Sequence, residues 1–251
     1  MIDFHSHILP EMDDGASSLE MSLEMLKASI KSGVDTVVST SHYYDFDGNG
    51  GIVAFLERRQ DRYNTVCNAI NASNEEYPRI VLGCEVHLTA GISRNADFDK
   101  LALSGTDYIL LEMPSGEWND DIFEEIYQIT RLGLKPVMAH IDRYFDKEKR
   151  FPDLFSLHPL FQVNAEAFLM KSLRKKLPAL FEEDAIHIVG SDMHNMTSRA
   201  PNLAEAYAII EKKFGAEYVD YLKFSSECVL KNENPPIPRL PKLTFTKKIM
   251  L

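Results

Sequence analysis

The feature that most constrains this chain is its alternation. Short apolar runs rich in β-branched residues recur at Met1–Phe4, Asp35–Thr40, Arg79–Cys84, Tyr108–Leu111, Lys135–Ala139, Phe161–Val163 and Ile186–Gly190, and segments with helical periodicity separate them. Near-continuous apolar strands of this kind are buried on both faces, which means a parallel sheet covered by helices. At 251 residues the chain has the usual size for closing such units into a barrel, with an open doubly wound sheet as the alternative. Helices are expected at Leu19–Ser32, with Ser17 and Glu20 at capping-box spacing and Gly33 as the stop, and at Ile52–Ala72. Three more are expected: Asn119–Leu132, with Asn119 as N-cap; Ser172–Glu183, kinked or restarted at Pro178; and Asn202–Phe214.

Composition narrows the function classes. The net charge of −11 disfavours loose nucleic-acid binding, which needs basic surface to displace counterions, and suits cation binding. Cys67, Cys84 and Cys228 are scattered with no CxxC pair, so neither a disulfide framework nor a thiolate zinc cluster is expected, and the compartment reads as reducing cytosol. No uninterrupted apolar run is long enough to span a bilayer and residues 1–14 have no basic and long apolar regions in series, so neither export nor a membrane span is expected. Residues 1–232 read as one domain; 233–251 read as a proline-rich basic tail, extended or disordered, or a docking segment for an acidic partner.

The functional signal lies where histidines and carboxylates fall. His5 and His7 follow the first apolar run, His42 the second, Glu85 the third, Glu112 the fourth, His140 the fifth, and Asp192 and His194 the seventh. In a parallel barrel all strands open their C-terminal ends onto one face, so these residues converge on one mouth, and Asp14 in the loop after the first strand can join them. Each alone has a bland reading as a hydrogen-bonded histidine or a solvated acid. Together, five of eight histidines and the carboxylates form a nitrogen and oxygen donor set without thiolate, suited to catalytic manganese, iron or zinc. Cations are also what lets four packed carboxylates stay ionised. His87, His158 and His187 keep the bland reading.

The motifs DFHSH at 3–7, DDG at 13–15, STSH at 39–42, GCE at 83–85, LLEM at 110–113, AHIDRY at 139–144, QVN at 162–164 and SDMHN at 191–195 carry a resemblance. Together they resemble the polymerase and histidinol phosphatase superfamily, and more closely the manganese-dependent protein-tyrosine phosphatases of bacterial capsule and exopolysaccharide operons, the CpsB/YwqE-like group. The resemblance implies a distorted seven-stranded (β/α) barrel of the TIM-like kind with three divalent ions, most commonly Mn²⁺, at its mouth. It implies a first ion on His5, His7, Glu85 and Asp192, a second on Glu85, Glu112 and His140, and a third on Asp14, His42 and His194, with Asp13 the less favoured neighbour of Asp14. Arg143 and Arg199 match phosphate-gripping residues, and the implied partner is a phosphotyrosine protein, a bacterial tyrosine autokinase.

Rival readings are a histidinol-phosphate or other small-molecule phosphatase of the same superfamily, and a metal-dependent amidohydrolase, whose carboxylated lysine has no evident counterpart here. A thiol phosphatase is excluded, because Ser73, Ala90 and Asn234 stand six residues beyond the cysteines where a CX5R loop needs arginine. The stretch YYDFDGNGG after STSH is acidic and aromatic where the resembled group carries basic residues. Tyr43 and Tyr44 there either pack the loop or stack on an aromatic substrate.

Overall fold

The computed structural model describes residues 1–45, 50–144, 148–175, 177–182 and 186–236. Its strands are β1 (Ile2–Ser6), β2 (Thr36–Ser39), β3 (His42–Tyr43), β4 (Arg79–Leu82), β5 (Glu85–His87), β6 (Tyr108–Glu112), β7 (Lys135–Met138), β8 (Leu160–Asn164) and β9 (Ile188–Gly190). Seven strands were expected, and each has its counterpart; the second and third are broken, the second at Thr40–Ser41 and the third at Gly83–Cys84. The two breaks sit side by side and stay stitched, Gly83 N–H donating to Ser39 O at 2.8 Å and Glu85 N–H to Thr40 O at 3.1 Å.

All pairings are parallel, in the order β1-β2-β4 and, beyond the breaks, β3-β5-β6-β7-β8-β9. Backbone bonds just past β9 complete the ring, Asp192 N–H to His5 O at 2.8 Å and His7 N–H to Met193 O at 2.9 Å. The result is the distorted α/β barrel expected.

Alternation along the strands sorts side chains into two cores. Phe4, Val38, Leu110, Val137 and Ile188, from strands that are not all neighbours, share one cluster with Val229, and such strands can meet only through the barrel interior. Val37, Ile109, Leu111, Met138 and Val189 face outward into a larger cluster with the helices.

Those helices are α1 (Leu19–Lys31), α2 (Gly51–Asn71), α3 (Asp120–Arg131), α4 (Ala165–Leu169), α5 (Lys171–Arg174), α6 (Leu177–Glu182), α7 (Leu203–Phe214) and α8 (Ala216–Leu230). The cap of α1 is Ser18, not Ser17: its side chain accepts from Met21 N–H at 3.3 Å. Asn119 caps α3 as expected, accepting from Ile122 N–H at 3.2 Å. The segment expected as 172–183 is divided, and Pro178 stands in the first turn of α6, where a missing N–H costs nothing. The short α4 and the fifteen-residue α8 were not anticipated. Residues 237–251 of the basic tail, Phe46–Asn49 of the loop after STSH, and Glu183 lie outside the described residues. No described helix is long and apolar enough to cross a membrane.

Candidate metal centre

The C-terminal ends of the strands carry the polar cluster, and two rules put it there. The first is alternation. Glu112 keeps the inward parity of Leu110, and Gln162 and Asn164 keep that of Leu160, so each strand swaps an apolar for a polar side chain as it reaches the mouth.

The second is a set of local breaks in that parity. The β1–β2 register slips between Asp3 and Ser6, which turns His5 inward although Phe4 also faces the interior. His140, next to the inward-facing Ala139, adopts left-handed backbone at φ 33° and is re-aimed into the mouth; Asp192 keeps the inward parity of Ile188 but is likewise left-handed, at φ 54°. Strain at such positions marks sites where placement of a side chain outweighs local preference.

His5 Nε2 and His7 Nε2 lie 3.2 Å apart, each within 3.5 Å of Asp192 Oδ1. Glu85 Oε2 is 3.0 Å from His5 Nε2 and 3.2 Å from His7 Nε2. His194 Nε2 and His42 Nε2 approach Asp14 Oδ1 at 3.2 and 3.5 Å, and with His7 they form a second group. His140 Nε2 lies 2.6 Å from Glu85 Oε1 and 3.5 Å from Glu112 Oε1. His42 also forms a trio with Glu85 and Glu112, with ligand atoms within 4.8 Å of one another. All nine residues singled out in the sequence are thus gathered at the mouth.

Supporting groups hold the cluster in place. Asp13, the alternative to Asp14, stands behind His7: its Oδ2 takes the Nδ1 side of that ring at 2.8 Å and accepts from His42 N–H at 2.9 Å. Gln162 Oε1 accepts from His140 N–H at 2.8 Å and sits 3.1 Å from His5 Nδ1. Gln162 Nε2 donates to Asn164 Oδ1, and Asn164 Nδ2 to Asp192 Oδ2 at 2.8 Å. Arg143 and Arg199 each reach Asp192 Oδ2 at 2.6 Å from the open side.

His87, given a bland reading from sequence, belongs to this rim, with Nδ1 3.2 Å from Glu112 Oε2. Its place two residues past Glu85, on the same strand face, was the available signal. Elsewhere, His187 Nδ1 accepts from Phe161 N–H, and His158 terminates a 3₁₀ turn.

The buried acids and imidazoles set one another's charge. Burial penalises charge on Glu85, yet His5 and His140 hold its carboxyl well below the usual range. Burial likewise opposes charge on His7, but Asp13 and Glu85 lift it to about 10. Burial dominates at His42 and lowers it. Asp192 Oδ1, His42 Nδ1 and His194 Nε2 are buried without a hydrogen-bond partner. Orphaned donors and acceptors of this kind, all of metal-ligating type and converging on one place, fit divalent cations, whose binding would displace protons from such groups.

A family model described as capsular polysaccharide synthesis, CpsB/CapC, matches residues 1–231. The tyrosine-protein phosphatase CpsB of Streptococcus agalactiae is 31% identical over 248 residues, 92% of this chain and 99% of that protein. The tyrosine-protein phosphatase YwqE of Bacillus subtilis is 32% identical over 256 residues, 95% of this chain and 96% of its own. Among solved structures, work on YwqE from Bacillus subtilis and CpsB from Streptococcus pneumoniae, described as unique metal-dependent tyrosine phosphatases, gives a TM-score of 0.80 at 26% identity, covering 98% of this chain and 100% of that one. A lactonase from Listeria monocytogenes, with a TM-score of 0.53 and 14% identity, shares the fold.

Proposed function

The chain belongs to the CpsB/CapC family of capsular polysaccharide synthesis, and from that premise we propose that it is a metal-dependent protein-tyrosine phosphatase. The observation that carries this reading is the gathering of His5, His7, Asp14, His42, Glu85, Glu112, His140, Asp192 and His194 at one mouth, flanked by two guanidinium groups.

We assign three divalent ions, Mn²⁺ in first place with iron or zinc as substitutes. His5, His7, Glu85 and Asp192 would hold the first, Glu85, Glu112 and His140 the second, and Asp14, His42 and His194 the third. When bound, such ions supply Lewis-acid stabilisation of the phosphoryl oxygens and a nucleophile at neutral pH. The protein's own part is positioning. Arg143 and Arg199 grip the phosphoryl group, their planar forks meeting two oxygens at once and absorbing charge as it develops. Asn164, donating to Asp192, keeps that carboxylate turned into the site when the arginines leave it for substrate. Phenolate is a fair leaving group, and no cysteine is called on.

The substrate class is a phosphotyrosine protein, and the partner is a bacterial tyrosine kinase whose dephosphorylation regulates capsule or exopolysaccharide synthesis in the cytoplasm. Residues 1–232 form the catalytic domain in this reading and 233–251 an appended tail. Activity on p-nitrophenyl phosphate should vanish in chelator, return with Mn²⁺ and survive thiol alkylation, and a phosphotyrosine peptide should outrun histidinol phosphate in kcat/KM. Full turnover in metal-stripped protein, or the reverse substrate order, defeats the assignment.

A further inference from the structure

The β3 side of the mouth carries an aromatic side chain that the ion and phosphate assignments above do not use. Tyr44 is half-buried, its ring 5.2 Å from that of His42 and 5.3 Å from that of His87. Its neighbour Tyr43 is committed to the fold: it is buried, packs edge-on against Phe55 at 5.2 Å, and donates its hydroxyl to Asp45. Both tyrosines border a cavity of about 280 Å³ beside the cluster, together with Met12, Asp14, His42, Phe55 and Arg58, and of the two it is Tyr44 whose ring lies against His42.

The position of this cavity matters. Contacts run across the mouth from Arg143 and Arg199 to Asp192, then to His5 and His7, to Glu85, to His42 and finally to Tyr44. Arg199 also reaches Asp14 Oδ2 at 3.8 Å, and Asp14 lines the cavity beside Tyr44, so one of the two guanidinium groups borders it. A phosphoryl group gripped by the arginines therefore has its ester substituent within reach of this cavity. His5, His7 and Glu85 are at most 1% exposed whereas Asp14 is exposed, so the site is approached from the side on which the cavity lies.

We propose that Tyr44 is a specificity-determining residue, the wall against which the phenyl ring of the substrate's phosphotyrosine packs inside this cavity. The inference rests on the phosphatase reading and deepens it: the arginines recognise phosphate, and Tyr44 recognises the ring that bears it. Aromatic rings favour offset or edge-to-face pairing at such separations, and one such contact corresponds to roughly tenfold in affinity. A phosphoserine side chain offers nothing to this wall.

The test uses the full-length, manganese-loaded protein with Tyr44→Ala and Tyr44→Phe, and two non-hydrolysable probes, benzylphosphonate and methylphosphonate, titrated calorimetrically. Tyr44→Ala should weaken benzylphosphonate about tenfold and leave methylphosphonate and bound manganese unchanged, while Tyr44→Phe keeps both affinities. In turnover of a phosphotyrosine peptide the alanine variant should raise KM by a similar factor with little change in kcat. Equal affinities in Tyr44→Ala and wild type overturn the proposal, as does parallel weakening of both probes with loss of manganese, which would mark a structural role. Wild-type protein that binds neither phosphonate and turns over no aryl phosphate overturns the phosphatase reading itself, and the Tyr44 proposal with it.

Discussion

Asp13 and Asp14 are adjacent acids with different surroundings, and the contrast shows what one residue of register decides. Asp14 faces His42 and His194 from the open side, whereas Asp13 turns back, accepts from Gly15 and His42 N–H groups and takes the Nδ1 side of His7. A carboxylate behind a ligating imidazole fixes the ring and raises its basicity, so Asp13→Asn should lower divalent-metal affinity about 10- to 100-fold without removing a ligand. Competition titration against a chelator measures this, and an unchanged affinity would remove Asp13 from the support of the site. Sequence alone could not separate the pair, because both sit in the same loop and the decisive fact is which way each side chain points. Glu85 and Glu112 were easier to read, since each simply continues an inward-facing parity. His5, His140 and Asp192 were legible as residue types at strand ends, but the register slip and the positive φ values found there leave no trace in the local pattern. Gln162 and Asn164 were ambiguous for a further reason: an amide at a strand end either caps the backbone or orients a ligand, and Gln162 does both, accepting from His140 N–H and meeting His5.

At the scale of elements, the strands were visible because each is a dense apolar run, and α3 because Asn119 and Gly133 bracket its apolar stripe. α8 escaped notice because two of its buried positions are Ser225 and Ser226, which dilute the stripe formed by Val219, Leu222 and Val229; Ser226 satisfies itself on Leu222 O at 3.0 Å. The seam between β9 and β1 is the element contact most sensitive to volume. A Cβ on Gly190 would stand 2.5 Å from His5 Cβ and 2.8 Å from His5 N, so Gly190→Ala must push the strands apart where the ring closes. The expected cost is about 1–3 kcal/mol of stability, together with weakened metal binding through displaced His5. Urea titration alongside metal analysis checks both, and a neutral result would mean the seam is looser than its packing. At the entrance to β9, burial pushes His187 down to about 4, and its Nδ1 accepts from Phe161 N–H. The unfolded chain protonates first, near the ordinary value of about 6.5, so stability contributed here is intact at neutral pH and declines as pH falls through the window from 6.5 to 4. His187→Asn, which keeps an acceptor, should lose roughly 2 kcal/mol less than wild type between pH 7 and pH 5. Identical pH dependence in the two proteins would discount this group.

Over the whole molecule, one property made the function readable: a parallel barrel sends every strand end to one face, so chemistry scattered from His5 to His194 becomes a single site as soon as the topology is granted. The same topology predicts how the protein responds to losing its ions. A chain of this size buries roughly 70 to 75% of its unfolded surface, and its two apolar clusters fill the barrel and its helical layer. None of the nine ligand side chains belongs to either cluster, so metal-stripped protein should keep its secondary structure and still melt cooperatively, at a lower temperature. Ions that bind only the folded state add stability as the logarithm of their free concentration, about 1.4 kcal/mol per tenfold for each ion above its dissociation constant. Three ions released together on unfolding would give a slope of about 4 kcal/mol per decade of free Mn²⁺, and one ion about 1.4. Unfolding free energy measured in manganese buffers across several decades thus counts the ions without reference to activity. A slope matching a single ion would refute the trinuclear assignment, because the nine gathered side chains would then be carrying far less charge than their carboxylates require.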